Sequence, residues 1–196
     1  MLPDVLKVVV LASGTGSLTK ALIEAAEMGV LKAEVVAVGA DRQAPVLDIA
    51  AAYLLPTFLV LPADYATRGE WDKALADTVA AFEPDLVVSA GFMRLLGAPY
   101  LERLERITIN THPALLPAFP GAHAVRDALA AGVAETGCTV HRVTADMDAG
   151  PPLAQTPVPV LPDDDESSLH ERIKVVERVQ LVDVINQIAA GEIVLD

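Results

Sequence analysis

Val8-Val9-Val10-Leu11-Ala12 runs without a polar side chain into Ser13-Gly14-Thr15-Gly16-Ser17, and an amphipathic stretch follows. That order constrains the fold more than any other feature of the chain. A short aliphatic run without polar alternation suits a strand buried on both faces, and a parallel sheet covered by helices buries its strands that way. The alternation continues downstream. Strands are predicted over 7–12, 34–38, 57–60, 86–89 and 107–110, with helices over 19–28, 45–53, 67–82 and 99–104 between them. Gly29 and Pro84 punctuate two of the helix ends. The pattern implies an α/β fold with a mainly parallel sheet, right-handed crossovers and helices on both faces.

After Gly132 the pattern changes. Residues 138–143 and 153–160 read as strands with no helix between them, only the loop 146–152, so they form a C-terminal hairpin antiparallel to the rest. Asp163-Asp164-Asp165-Glu166 precedes a last helix predicted over 168–190, with Ser168 and Glu171 in capping-box spacing and the acidic run at its positive end. Hydrophobic residues make up 53% and aromatics 4%, so the core is aliphatic.

Against 14 Lys and Arg stand 27 Asp and Glu, a formal charge of −13. A nucleic-acid surface needs clustered cations to displace counterions, so that partner class is disfavoured. A phosphorylated small molecule is not, because backbone N–H groups at a helix start can hold a phosphate without lysine. The lone Cys138 cannot form an internal disulfide and fits a reducing compartment. Met1-Leu2-Pro3-Asp4 has neither the basic nor the apolar region of a signal peptide. No apolar run approaches the ~20 residues of a membrane span. A cytoplasmic protein with no membrane partner is expected.

Two constellations carry chemistry. In Gly14-Thr15-Gly16-Ser17 the backbone N–H groups of Gly16, Ser17 and Leu18 are placed for an anion, although a tight strand-to-helix turn without a ligand has the same spacing. A dinucleotide fingerprint would need glycine at Thr19, and a nucleotide P-loop would need Gly-Lys-Ser/Thr, so NAD and ATP are disfavoured and a monophosphate is preferred. The second constellation is Asn110-Thr111-His112-Pro113 together with Asp146-Met147-Asp148-Ala149-Gly150. It sets an amide, an imidazole and a carboxylate on two segments that leave a strand and enter Pro/Gly-rich turns. Asn can donate to a developing oxyanion, His can move a proton near neutral pH, and Asp can orient and charge the His. Together they suit acyl transfer to an amine without a covalent enzyme intermediate. A metal set of His112, His123, His141 and Asp148 is disfavoured, since no His pair is spaced i, i+4 on a helix and no second Cys exists. His141 on its strand and His170 near the last helix start read as structural. Arg68 and Glu177 read by themselves as surface charges.

The segments Val8 through Ser17, Ala90-Gly91-Phe92-Met93-Arg94-Leu95-Leu96, Ile109-Asn110-Thr111-His112-Pro113-Ala114-Leu115-Leu116-Pro117, and Gly137-Cys138-Thr139-Val140-His141 through Asp148-Ala149-Gly150-Pro151 resemble the folate-dependent glycinamide ribonucleotide (phosphoribosylglycinamide) formyltransferases, in that family's order and over nearly the whole chain. The resemblance implies one Rossmann-like formyltransferase domain over 1–196, with a phosphate-binding half over about 1–104 and a folate-binding and catalytic half over about 105–196. It implies transfer of a formyl group from 10-formyltetrahydrofolate to the amine of glycinamide ribonucleotide in purine biosynthesis, with no metal and no ATP.

It further implies that Asn110, His112 and Asp148 are catalytic, with Asp148 holding His112 and favouring its charged form. The ribonucleotide would be met by Gly16, Ser17, Leu18, Lys174, Val175, Val176 and Glu177. The folate would be met by Arg68 at its glutamate tail, by Met93, Arg94, Leu95 and Leu96 around the pteridine, and by Asn110, Thr144, Ala145, Asp146, Met147 and Asp148. His123 matches a family position without an assigned role. The chain departs from the family pattern at Leu18, where Asn is common, at Arg142, where an aromatic or apolar residue is usual, and at Ala145, where an acid is common. Methionyl-tRNA formyltransferases carry an added C-terminal domain and formyltetrahydrofolate hydrolases an added N-terminal one, and neither is expected here. A non-catalytic nucleotide-binding module would explain the glycine turn but not the company of Asn110, His112 and Asp148. Partners are small molecules. A homodimer is compatible with the sequence, which does not fix the oligomeric state.

Overall fold

Alternate residues of the first strand belong to different cores, and this builds the layers of the molecule. The computed structural model describes residues 5–195, so the N-terminal tetrapeptide read above lies outside the described residues. In β1 (Leu6–Leu11), Val8 and Val10 face a cluster formed by α1 (Ser17–Glu27), α2 (Pro45–Ala52) and the C-terminal part of α6 (Glu166–Ala189). Val9 and Leu11 face the opposite cluster, formed by α3 (Arg68–Ala80) and α4 (Ala98–Leu104) around Trp71, Leu75 and Tyr100. Side chains of a strand alternate between faces, so an unbroken aliphatic run can supply both layers at once.

The remaining strands are β2 (Ala33–Ala40), β3 (Thr57–Leu59), β4 (Leu86–Ser89), β5 (Thr108–His112), β6 (Glu135–Arg142) and β7 (Pro152–Pro159). They form one seven-stranded sheet in the order β3-β2-β1-β4-β5-β6-β7. The pairs from β3 through β5 are parallel, while β5 with β6 and β6 with β7 are antiparallel. The mainly parallel sheet and its C-terminal hairpin are therefore as expected from the sequence. The chain builds outward from β1 to β3 and then returns to place β4 on the other side of β1. The carboxyl ends of β1 and β4 flank this switch point, where open α/β sheets leave a crevice.

Three local features differ from the sequence reading. A short helix, α5 (Ala124–Ala131), stands before β6 where no helix is predicted. Helix α6 starts earlier than expected, capped by Asp165 rather than Ser168. Asp165 Oδ1 accepts from the Ser168 backbone N–H at 2.8 Å, and Ser168 Oγ bonds back to the Asp165 N–H at 3.0 Å. The same i, i+3 spacing occurs twice in succession there. The upstream box is selected because Arg172 clamps the preceding Asp164 with two hydrogen bonds of 2.7 Å. That clamp holds the Asp164 carboxyl far below the usual range, first through the Arg172 hydrogen bonds and then through the Leu161 N–H. Finally, β5 runs on through His112 rather than ending at Asn110, so Asn110 and His112 both lie on the strand itself.

Candidate active site

A cleft of about 470 Å³ opens at the carboxyl ends of β1, β4 and β5. Its walls are the turn 14–18, the loop 89–96, the segment 110–113, residues 121–125, the loop 143–148 and one face of α6. The turn 14–18 is shaped for close approach. Gly16 is the N-cap of α1 in the left-handed conformation (φ 74°), and no side chain caps the helix. The first-turn N–H groups are thus left to an outside acceptor. A Cβ at Gly16 would meet Val46 Cγ2 at 2.6 Å and its backbone Cα at 2.9 Å. Gly16→Ala is expected to destabilise the fold by about 2–4 kcal/mol, combining overpacking with left-handed strain. A fall in the urea midpoint measures it, and an unchanged midpoint would refute the steric account.

Asn110, His112 and His141 are aligned by β-sheet register. Asn110 stands opposite His141 in the β5–β6 pair, and His112 opposite Thr139. His141 Nδ1 lies 2.8 Å from the Arg142 carbonyl, so it carries the proton and donates. That leaves the Nε2 lone pair to accept from Asn110 Nδ2 at 3.1 Å. Burial pushes the His141 pKa down, against the Arg142 carbonyl and Asp148, which push it up. The neutral ring fits this bonding. Since a primary amide has two N–H donors, the second one on Asn110 remains for an oxygen in the cleft.

His112 is buried at 4% exposure, with Nε2 donating to the Phe119 carbonyl at 2.7 Å. Its Nδ1 faces Asp148 Oδ2 at 3.5 Å, within ion-pair range. Both ring nitrogens thus face oxygen atoms, one a carbonyl and the other a carboxylate. Asp148 Oδ2 also accepts the Gly121 N–H at 2.8 Å, and Oδ1 is 3.7 Å from His141 Nε2. Asp148 itself is left-handed (φ 52°), a conformation that Asp and Asn tolerate better than most residues. Glu177 on α6 is buried in the same cleft wall and bonds to Thr111. Burial raises its pKa, opposed by Thr111, Lys174, Arg178 and His112.

Comparison with known proteins identifies the family. A family model described as "Formyl transferase" matches residues 6–185. The chain is 58% identical over 183 residues to the phosphoribosylglycinamide formyltransferase of Mycobacterium tuberculosis (strain H37Rv), covering 93% of this chain and 85% of that one. This chain belongs to the phosphoribosylglycinamide formyltransferases. The Escherichia coli (strain K12) member of that name is 34% identical over 189 residues, covering 96% of this chain and 89% of its own. Glycinamide ribonucleotide transformylase 1 from Symbiobacterium toebii superposes with a TM-score of 0.95 at 38% identity, over 98% of this chain and 92% of that one.

The residues that the family resemblance implies do not all reach the cleft. Gly16, Ser17, Leu18, Met93, Arg94, Leu95, Leu96, Asn110, His112, Thr144, Asp146, Met147, Asp148, Lys174 and Glu177 line it. Arg68, Ala145, Val175 and Val176 are outside its lining. Arg68 is bonded to the Leu95 carbonyl and to Asp72 Oδ2 at 3.0 Å, and is 4.8 Å from the centroid of the Trp71 ring. Val175 is exposed, and Val176 packs on the cluster around Leu169 and Ile173. The Leu18 side chain is buried in the core, so only its backbone faces the turn's ligand side. Glu177, read from its helix face as an exposed charge, is buried. His141 and His170, read as structural, both line the cleft, as does His123. Antiparallel register places His141 there, and register cannot be read before the hairpin is aligned. Among the described residues, no group of three or more His, Cys, Asp or Glu could hold a metal ion, and no helix is long and apolar enough to cross a membrane.

Proposed function

We propose that this cleft performs the family's reaction with the residues assigned above: formyl transfer from 10-formyltetrahydrofolate to the primary amine of glycinamide ribonucleotide. The observation that carries the reading is the convergence of Asn110, His112 and Asp148 in one cleft with an uncapped helix start and an apolar loop. The turn 14–18 suits the ribonucleotide phosphate, with Lys174 and Glu177 on the adjoining wall. Phe92, Leu95, Leu96 and Val143 provide an apolar slot in which backbone groups of 91–96 can meet a flat heteroaromatic ring.

The folate supplies an electrophilic formyl carbon. The chain's part is to hold the amine against it and to meet the charge that develops on the formyl oxygen. The free N–H of Asn110 is one donor. The other is His112, whose Nε2–H exchanges the Phe119 carbonyl for the substrate oxygen while Asp148 faces Nδ1. The proton released by the attacking amine passes through water beside Asp148 to the departing folate nitrogen. Both ligands are small, and we place the protein in the cytoplasm, where the reducing environment suits the buried thiol of Cys138.

Purified protein given both substrates, with EDTA present and ATP omitted, is expected to form formylglycinamide ribonucleotide and tetrahydrofolate in equal amounts. Dependence on ATP, loss of turnover in EDTA, or faster formylation of a different amine would overturn the assignment.

A further inference from the structure

We propose that Asp41 is a positioning residue that locks the anion-binding turn to the folate-facing loop, so that the two substrates bind as a coupled pair. The proposal rests on the reading of the cleft given above, and concerns a group that touches neither substrate. Asp41 follows β2, and its side chain is fully buried. Oδ1 accepts from Ser13 Oγ at 2.6 Å. Oδ2 accepts from Arg94 Nε at 2.6 Å and from Arg42 Nη2 at 2.9 Å. Ser13 is the residue immediately before the turn 14–18. Arg94 lies within the loop 91–96 on the other wall.

The tie is doubled through Ser13. Its Oγ accepts the Met93 N–H at 2.9 Å while donating to Asp41, and its own N–H donates to the Gly91 carbonyl at 3.1 Å. The carboxylate, together with Ser13, therefore joins the two walls that must bring amine and formyl carbon together. Arg94 also lies over Trp71, with its guanidinium carbon 5.8 Å from the ring centroid. Burial works against a charged Asp41, but hydrogen bonds from Arg42, Ser13 and Arg94 outweigh it and lower its pKa.

Burying a carboxylate to pair it with arginines is a poor device for stability alone, since desolvation offsets much of the attraction. What it provides is a fixed geometry with one arrangement of donors. When a ligand orders one wall, the shared carboxylate orders the other. A positive coupling between the two sites is the consequence, and thermodynamic linkage makes it reciprocal.

Calorimetric titration of the wild-type protein with glycinamide ribonucleotide, alone and with tetrahydrofolate present, is expected to show affinity at least ~5-fold tighter with the second ligand, the lower edge of typical coupling. Asp41→Asn should reduce this ratio to near one and raise both KM values together. Ser13→Ala removes the Asp41 bond from the other side, together with the Met93 N–H contact, and leaves the Arg94 pair in place. It should remove most of the coupling too, and the double variant should lose little more. Uncoupled binding in the wild type would overturn the proposal. So would coupling that persists in folded Asp41→Asn, even at a lower melting temperature, since that result marks a structural role only. If Asp41→Asn does not fold, Ser13→Ala decides by the same ratio. Formyl transfer is assayed separately. An inactive wild type with coupled binding defeats the reaction assigned to the cleft, and an active wild type with uncoupled binding defeats the role of Asp41.

Discussion

Replacing His112 with glutamine is expected to lower turnover by about 10²–10⁴-fold, the range for loss of a positioned proton donor. Glutamine is the informative choice because its amide can still donate to the Phe119 carbonyl, which His112 Nε2 reaches at 2.7 Å. The segment 113–121 therefore keeps its anchor, and the buried site keeps a polar side chain. What glutamine lacks is a proton to share between two ring nitrogens, one facing a carbonyl and the other facing Asp148. Affinity for each substrate, measured by calorimetry, should change by no more than a few fold, because the interaction is made chiefly in the transition state. A glutamine variant with more than about a tenth of wild-type turnover would show that His112 acts as a hydrogen-bonding scaffold.

The parts of the fold visible in the sequence are those set by local physics. The aliphatic runs Val8–Leu11 of β1 and Leu86–Val88 of β4 can be assigned because burial on both faces leaves no polar residue within them. The hairpin of β6 and β7 was visible as two strands with no room for a crossover between them. Helix α5 was not, because Ala124–Ala131 follows a Pro/Gly-rich segment and is too short for its periodicity to stand out. The cap of α6 was displaced because Asp165 with Ser168 and Ser168 with Glu171 have equal spacing, and a tertiary contact, Arg172 to Asp164, chose between them.

The same division holds in the site. Asn110, His112 and Asp148 announce themselves by residue type and by the Pro and Gly around them. His141 does not, since its role comes from standing across the sheet from Asn110. Glu177 looked like a solvated helix charge because nothing local shows that this face of α6 closes the cleft. Asp41 was invisible for a related reason. Its partners Ser13 and Arg94 are 28 and 53 residues away, joined only when the sheet forms.

The Asp148 pair of substitutions separates charge from shape. Asp148→Asn is expected to reduce turnover by at least ~10²-fold while both KM values stay within a few fold. Asparagine tolerates the left-handed backbone at this position, and its carbonyl oxygen can still accept the Gly121 N–H that Asp148 Oδ2 accepts at 2.8 Å. The loop geometry therefore survives, and the negative charge opposite His112 Nδ1 does not. Asp148→Ala loses the Gly121 anchor as well and carries left-handed strain of about 1–2 kcal/mol. It should show the same fall in turnover together with a raised KM for the folate, since Thr144, Asp146 and Met147 of that loop line the cleft. It should also unfold at a lower urea concentration. The contrast is the test. If Asp148→Asn turns over at a near-normal rate while Asp148→Ala fails, Asp148 is a loop anchor, and the charge facing His112 has no part in the reaction.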